Sequence, residues 1–162
     1  MAETELHVAG RVKFLVCVDD SEDCRVALRF AALRARNSGG TLVLLYVIEP
    51  ADFQHWVAVE KLMEEEQREE AEQLLHDLAA EVYDFAEIRP ILVFRVGRRS
   101  DEILKLIDED LSINILVLGA APEGEGTNDL VRNLGDELTK RLRIPLTIVP
   151  GNLTDEQLVN IT

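Results

Sequence analysis

Two acidic residues and a run of glycines stand where this sequence could contact a charged ligand. Asp19 and Asp20 directly follow an apolar segment, and a glycine-rich stretch begins at Gly119, after another apolar segment. A loop of this kind, between a strand and a helix, can direct backbone N–H groups at phosphates. The same loop carries Glu123 and Glu125, whose charge opposes a phosphate. Its position in the chain therefore indicates a nucleotide site, whereas its charge argues against one.

Five short apolar segments alternate with helical patterns and form the predicted framework for these residues. The segments are apolar at successive positions rather than at every second one, which is typical of parallel strands that helices cover on both faces. The chain is therefore predicted to be an α/β protein with a five-stranded parallel sheet. The predicted strands cover residues 12–18, 41–48, 89–96, 114–118 and 146–149.

Four helices are predicted between these strands. Asp and Ser cap the start of a helix, and Asn and Gly are common at its end, so the first helix is predicted to begin at Asp20 or Ser21 and to end near residues 37–40. The second helix, residues 57–85, has a strongly acidic polar side that is most simply a solvated surface. The last two helices are predicted to begin at Ser100 and at Asn128 or Asp129.

The expected topology locates a crevice in this sheet. Right-handed crossovers most often give a five-stranded sheet of this kind the order 3-2-1-4-5. The direction of the connections then reverses between the first and fourth strands, and open α/β sheets bind ligands at that point, beyond the carboxyl ends of the strands. Asp19 follows the first strand and Gly119 ends the fourth, so the two residues are predicted to face each other across one crevice.

The composition is that of an acidic protein with one compact domain. A chain of 162 residues with 47% hydrophobic content is long enough to bury its own core. With 31 acidic and 17 basic residues, its net charge of -14 is expected to repel nucleic acids and anionic membranes. The apolar segments are far shorter than the roughly 20 residues that span a bilayer. Neither a nucleic acid nor a membrane is therefore predicted as a partner.

The cysteines and histidines show no spacing that indicates a disulfide framework or a metal site. Cys17 and Cys24 lack CxxC spacing, and no apolar stretch follows a basic N-terminus to form a signal peptide. The protein is therefore expected to be cytoplasmic, with both thiols reduced. His7, His55 and His76 show no metal-binding motif, and neither a metal site nor a catalytic residue is predicted.

Four parts of the sequence resemble the universal stress protein family in content, order and spacing. They are FLVCVDDSEDCRVALRFAA, TLVLLYVIEP, VGRRSDEILKLIDE, and ILVLGA with RIPLTIVP. The resemblance covers residues 11–150, between an N-terminal arm (1–10) and a C-terminal tail (151–162), and implies an adenine nucleotide alpha hydrolase-like fold. It also implies a stress-linked binding or regulatory module, rather than an enzyme, that acts on an unknown protein partner. Such proteins commonly form homodimers by pairing their last strands, here Leu146 to Val149.

In family members that bind ATP, the pattern G-x2-G-x9-G-S/T after the fourth strand holds the phosphates, and this chain departs from that pattern. Gly119 matches the first glycine, but Pro122, which has no backbone N–H, replaces the second. Gly135 matches the last glycine three residues late, and Asp136 replaces the hydroxyl residue. These departures predict weak or absent ATP binding. The alternative is an ATP-binding switch with slow hydrolysis, whose phosphate cradle is rebuilt in another register from Gly124, Gly126 and Thr127.

By the same resemblance, the adenine and ribose pocket is lined by residues at the carboxyl ends of three strands. These residues are Val18, Asp19, Val47, Leu118 and Gly119. Asp19 could accept a hydrogen bond from a ribose hydroxyl or from the adenine amine, or could serve only as a turn carboxylate. The three apolar residues could equally belong to the core. AMP or a cyclic nucleotide would meet less repulsion than ATP, because its phosphate charge is smaller.

Three further features have alternative interpretations. An Asp19-Asp20 pair also suits a phosphoryl-accepting receiver domain, but the Asp and Lys that such a domain needs on its third and fifth strands are missing. Arg98 and Arg99 could touch an anion or could form surface ion pairs. The tail after Pro150 is polar and is predicted to be loosely attached or to extend the dimer contact.

Overall fold

The computed structural model describes residues 11–50, 57–121 and 138–162, with residues 57–64 as helical backbone only. Five strands in these ranges form one sheet, in which every strand is parallel to its neighbours and the order is β3-β2-β1-β4-β5. The predicted fold class and strand order are therefore confirmed. The strands are β1 (Lys13–Cys17), β2 (Thr41–Ile48), β3 (Ile91–Val96), β4 (Ile115–Ala120) and β5 (Leu146–Pro150).

Helices cover both faces of this sheet. The first two helices and a short C-terminal helix contribute to the core on one face, and the third helix contributes to the core on the other. The helices are α1 (Glu22–Ser38), α2 (Val57–Ala86), α3 (Arg99–Glu109) and the C-terminal helix (Asp155–Ile161). Residues 138–141 are also helical.

The sheet has a separate apolar core on each face, because successive side chains of a strand point to opposite faces. Val16 of β1 and Leu44 of β2 belong to the core beneath α1. Their chain neighbours Leu15 and Leu45 belong to the core beneath α3. Strands that are buried on both faces must be apolar at successive positions, and this requirement produces the pattern from which the parallel sheet was predicted.

Ser21 is the N-cap of α1, in agreement with the predicted start at Asp20 or Ser21. Its Oγ accepts a hydrogen bond from the N–H of Cys24 at 3.2 Å, which satisfies one of the free donors at the start of the helix. At the other end, Gly39 has a φ of 66° and its N–H donates to the carbonyl of Arg36. Residues other than glycine rarely adopt this left-handed conformation, so Gly39 fixes the end of the helix.

The C-terminal segment is a docked helix, and the prediction of a loosely attached tail is wrong. Thr154 and Gln157 form a reciprocal capping box at its start. Leu158 is fully buried in the core beneath α1, and Asp155 pairs with Arg29 of α1 at 3.5 Å. Burying one leucine contributes about 2 kcal/mol. This contact holds a helix that is too short to be stable alone.

The boundaries of the remaining helices differ slightly from the predictions. α3 begins at Arg99, after Arg98 as its N-cap, rather than at Ser100. The predicted start of the fourth helix, Asn128 or Asp129, lies outside the described residues. Over the ranges that the structure describes, no helix is both long and apolar enough to cross a membrane.

Candidate functional site

The carboxyl ends of β1 and β4 lie side by side at one edge of the sheet. The two strands are parallel neighbours, with Val16 of β1 beside Val117 of β4. Extending this register past the last paired residues places Val18 beside Gly119. Asp19, the next residue of the chain, therefore lies at the same edge as Gly119, where the strand order reverses. This is the predicted position of the crevice.

Asp19 is held in a turn that leads into α1. Its Oδ1 accepts hydrogen bonds from the N–H and the Oγ of Ser21, at 2.8 and 2.5 Å. Its own N–H donates to Sγ of Cys24 at 3.3 Å. The structure thus gives Asp19 the role of a turn carboxylate, the simpler of its two interpretations. A ligand at this edge could still meet Oδ2, which takes no part in these bonds.

The three apolar residues that were predicted to line the pocket are buried in the core. Val18 packs beneath α1, whereas Val47 and Leu118 pack beneath α3 on the opposite face of the sheet. The ends of their strands lie at the same edge of the sheet, and the lining of a pocket by these three residues stays a prediction.

Gly119 has a packing role that its sequence position did not reveal. A Cβ atom on Gly119 would lie 2.4 Å from the carbonyl oxygen of Asp23 in the first turn of α1. Gly151, just after β5, is similarly close to Asp23, since a Cβ there would lie 2.1 Å from Oδ1. Both glycines allow α1 to approach the ends of β4 and β5. Sequence reasoning assigned Gly119 only to the ligand and missed Gly151, because both contacts join distant parts of the chain.

The other residues proposed for phosphate binding lie in one segment after β4. Gly124, Gly126, Thr127 and Gly135 all lie in the range 122–137, outside the described residues. The two departures from the ATP-binding pattern, Pro122 and Asp136, lie in the same range. Their expected effect on phosphate binding therefore follows from residue type alone, because proline has no backbone N–H and aspartate carries a negative charge.

The two thiols next to the crevice are unreactive. Cys17 ends β1 and Cys24 lies in the first turn of α1, and both are free and buried. Burial raises the pKa of each thiol from 9.0 to about 12, because the thiolate would lose its hydration. Both thiols are neutral at physiological pH and are poor nucleophiles. Among the described residues, no cluster of His, Cys, Asp or Glu could hold a metal ion.

Three polar residues lie on β2, directly after it, and at the start of α3. Glu49 follows β2, and its Oε1 accepts a hydrogen bond from the N–H of Arg99 at 3.1 Å. Tyr46 of β2 has a raised pKa, mainly because of burial, and the positive charge of Arg99 opposes this rise. The sequence predicts that Arg98 and Arg99, at the carboxyl edge of the sheet, either touch an anion or form surface ion pairs. The hydrogen bond between the backbone of Arg99 and Glu49 is the contact that the sequence did not reveal.

Solved structures of universal stress proteins resemble this fold. One from Lactobacillus plantarum has a TM-score of 0.71 and 19% identity, and the match covers 88% of this chain and 99% of that one. An Arabidopsis thaliana family protein with AMP bound has a TM-score of 0.63 and 16% identity, covering 90% and 94% of the two chains. A universal stress protein in complex with cAMP has a TM-score of 0.56 and 18% identity, covering 89% and 100%. At these identities the likeness shows the fold alone.

A comparison with curated protein sequences gave no significant match. The sequence model of the universal stress protein family, in contrast, matches residues 11–150. This range contains all five strands, the Asp19 turn and the glycine-rich segment after β4. The match covers most of the chain. This protein belongs to the universal stress protein family.

Proposed function

We propose that this protein is a cytoplasmic, homodimeric regulatory module of the stress response that does not hold ATP tightly. The observation that carries the proposal is the pair of departures in the segment after β4. Pro122 has no N–H to offer a phosphate, and Asp136 places a carboxylate where the pattern of ATP-binding members has a hydroxyl. Two unit charges about 4 Å apart cost about 1 kcal/mol in water and several times more where solvent is excluded. A triphosphate would meet this cost together with that of Glu123 and Glu125.

The polar edge between β1 and β4 supports a weaker, smaller ligand for the same module. Asp19 presents a carboxylate at the crevice, and the carboxyl ends of parallel strands form a common ligand site in open α/β sheets. Two structures with this fold hold AMP and cAMP. Each of these nucleotides carries one phosphate, so each avoids most of the repulsion that a triphosphate meets. An adenine nucleotide with a single phosphate is therefore the proposed ligand.

The outer edge of β5 is the proposed surface for a second copy of this chain. Among the described strands, β5 pairs only with β4, so its other edge has backbone groups available for pairing. Ile148 on this strand is 46% exposed, which is large for an apolar residue in a sheet. Pro145 precedes the strand and Pro150 is its last residue, and since proline has no N–H to donate, pairing is expected over the residues between them. Antiparallel pairing of two such edges would continue the sheet across the dimer.

The glycine-rich segment favours a second candidate function, an ATP-binding switch with slow hydrolysis. Gly124, Gly126 and Thr127 supply backbone N–H groups and a hydroxyl in a register different from the family pattern. The two functions differ in the role of Pro122 and Asp136. In the first they suppress ATP binding, and in the second they are irrelevant to it.

The double variant P122G/D136S distinguishes the two functions by calorimetric titration with ATP and Mg²⁺. The proposed function predicts that this variant binds ATP at least about tenfold more tightly than the natural chain, because two obstacles to the phosphates are removed. The matched control is D108S, which removes one exposed acidic charge on α3. Equal, tight binding by the natural chain and the double variant would instead establish the ATP switch.

Sedimentation of the variant I148D tests the homodimer. A carboxylate at Ile148 would be buried against the partner, so we expect the natural chain to sediment as a dimer and this variant as a monomer. L111D is the control, since Leu111 is 74% exposed in the turn before β4 and is not part of β5. A natural chain that is monomeric at micromolar concentration would contradict the proposed interface.

A further inference from the structure

The C-terminal helix, Asp155–Ile161, docks at the β5 side of the sheet. Only residues 151–154 separate it from the end of β5, and its Leu158 enters the core beneath α1. α1 packs on β4 and β5, and the C-terminal helix packs on α1. α2 also contacts α1, but it packs on β2 and β3 at the opposite end of the sheet. The C-terminal helix therefore occupies the flank of α1 that lies nearest to the outer edge of β5.

The two exposed apolar residues of this helix lie on opposite flanks of Leu158. Val159 is 57% exposed and Ile161 is 55% exposed. At about 100° per residue, they are about 160° apart around the helix axis. Val159 shares a flank with Asp155, four residues earlier, and Asp155 pairs with Arg29 at 3.5 Å. Arg29 belongs to the partly exposed side of α1, away from the sheet. Val159 is therefore on the solvent flank, and Ile161 is on the flank toward the sheet.

Ile161 is exposed although its flank turns toward the sheet. The side of a helix that faces a sheet is normally buried, because the strands beneath cover its apolar residues. Among the described strands, β5 is the last one on this side, with β4 as its one neighbour. The exposure of Ile161 indicates that the sheet ends beneath this part of the helix. The helix thus overhangs the edge of β5, above the position that one more strand would take.

A strand added to β5 would meet exposed apolar side chains on both faces of the sheet. Ile148 is 46% exposed and lies on the α3 face, since its neighbour Val149 belongs to the core beneath α1. Ile161 lies on the α1 face. Backbone pairing alone is a narrow contact, because residues 146–149 extend for only about 13 Å. A stable interface buries about 800 Å² on each partner, so the side chains that flank the paired strands must contribute.

We propose that the C-terminal helix covers the β5 strand of a second copy of this chain, with Ile161 packed on that strand. This inference rests on the homodimer of the proposed function and adds a contact from outside the paired strands. The two-fold axis that relates two antiparallel edge strands is perpendicular to the sheet, so the α1 faces of both copies lie on the same side. Each helix then overhangs the strand of the other copy, and one self-complementary contact is made twice.

The variants I161E and V159E test this contact by sedimentation equilibrium. Both replace an exposed apolar residue of the same helix with glutamate, so they change the net charge equally. I161E is expected to raise the dissociation constant of the dimer at least about tenfold, because its carboxylate would lose hydration against the partner strand. V159E, the matched control, should stay within about twofold of the natural chain. Hydrogen exchange at the amide of Leu158, which donates to the carbonyl of Thr154 at 2.9 Å, checks that the helix remains folded.

The results for the natural chain and for I148D separate this inference from the proposed homodimer. If I148D dissociates while I161E and V159E both remain as dimeric as the natural chain, the helix contact is overturned and the β5 dimer stands. Equal weakening by I161E and V159E would also overturn the specific role of Ile161. A natural chain that is monomeric at micromolar concentration would reject both the homodimer and the helix contact.

Photo-cross-linking tests the same contact without introducing a charge. A leucine analogue that carries a diazirine replaces Ile161 in an isotope-labelled copy, which is then mixed with the unlabelled natural chain. Mass spectrometry is expected to find cross-links from position 161 to residues 146–150 of the unlabelled copy. The same analogue at position 159 should give none. Cross-links from position 161 that stay within the labelled copy, in a sample that sediments as a dimer, would overturn the proposal.

Discussion

The carbonyl oxygen of Asp23 lies so close to Gly119 that a Cβ atom on the glycine would be only 2.4 Å away. This contact joins the first turn of α1 to the end of β4, at the edge where the crevice is expected. A glycine that the family pattern connects with phosphate binding is therefore also required for the packing of a helix on the sheet. Its loss would affect folding even in a protein that binds no nucleotide.

Replacing Gly119 by alanine is expected to destabilise the protein by about 2 kcal/mol or more, because the new methyl group overlaps backbone atoms that cannot move independently. The measurement is the free energy of unfolding in urea. G39A serves as the comparison, since a Cβ there meets only the side chain of Arg11 at 3.8 Å and the cost is mainly the left-handed φ. A Gly119 variant as stable as the natural chain would show that the residue matters only for a ligand.

The C-terminal helix gives a second prediction. L158A should lower the free energy of unfolding by about 2–4 kcal/mol, because Leu158 is fully buried in the core beneath α1. V159A, on the same helix, should change it by less than about 0.5 kcal/mol, since Val159 is 57% exposed. Equal, small effects of the two substitutions would mean that the helix is not docked in solution.

Cys17 should make stability depend on pH in alkaline solution. Its pKa is about 12 in the folded protein and 9.0 for an ordinary thiol, so the folded state retains a proton that the unfolded state loses. The stability linked to this group is fully present below pH 9 and is lost as the pH rises toward 12. The free energy of unfolding of the natural chain should therefore fall more steeply above pH 9 than that of C17A. Parallel pH profiles for the two proteins would contradict the burial of this thiol.

Lys13 and Asp110 form an ion pair at the opposite edge of the sheet, with 2.6 Å between Nζ and Oδ2. This pair should make the stability of the protein depend on pH in acidic solution. Burial tends to raise the pKa of Asp110, but hydrogen bonds from Lys13 and Ser112 outweigh it and lower the pKa below its ordinary value of 3.8. The resulting stability is present above pH 3.8 and is lost as the pH falls through the lowered pKa. Because the pair is partly exposed, D110N should cost no more than about 1 kcal/mol at pH 7. In unfolding experiments below pH 3 this difference should disappear, and a cost that persists there would have another cause.

The fold could be predicted from the sequence because its signals are local. Apolar residues at successive positions mark each buried strand, and Ser21 and Gly39 mark the ends of α1 by their own chemistry. Right-handed crossovers favour the order 3-2-1-4-5 for a chain of alternating strands and helices, and the sheet has this order.

The remaining features depend on contacts between distant residues and leave little trace in the sequence. Leu158 is the fully buried residue of a short polar helix, and nothing in its neighbourhood indicates that α1 covers it. The closeness of Gly151 to Asp23 is likewise a consequence of tertiary packing. The hydrogen bond from the N–H of Arg99 to Glu49 also joins residues that are 50 positions apart in the chain.

The most direct test of the central claim is a calorimetric titration of the ligand-stripped natural protein with ATP and with AMP, in the presence and absence of Mg²⁺. The account predicts that AMP binds at least as tightly as ATP and that Mg²⁺ does not reverse this order, because the segment after β4 repels the additional phosphates. ATP binding at micromolar concentration and more tightly than AMP would contradict the account.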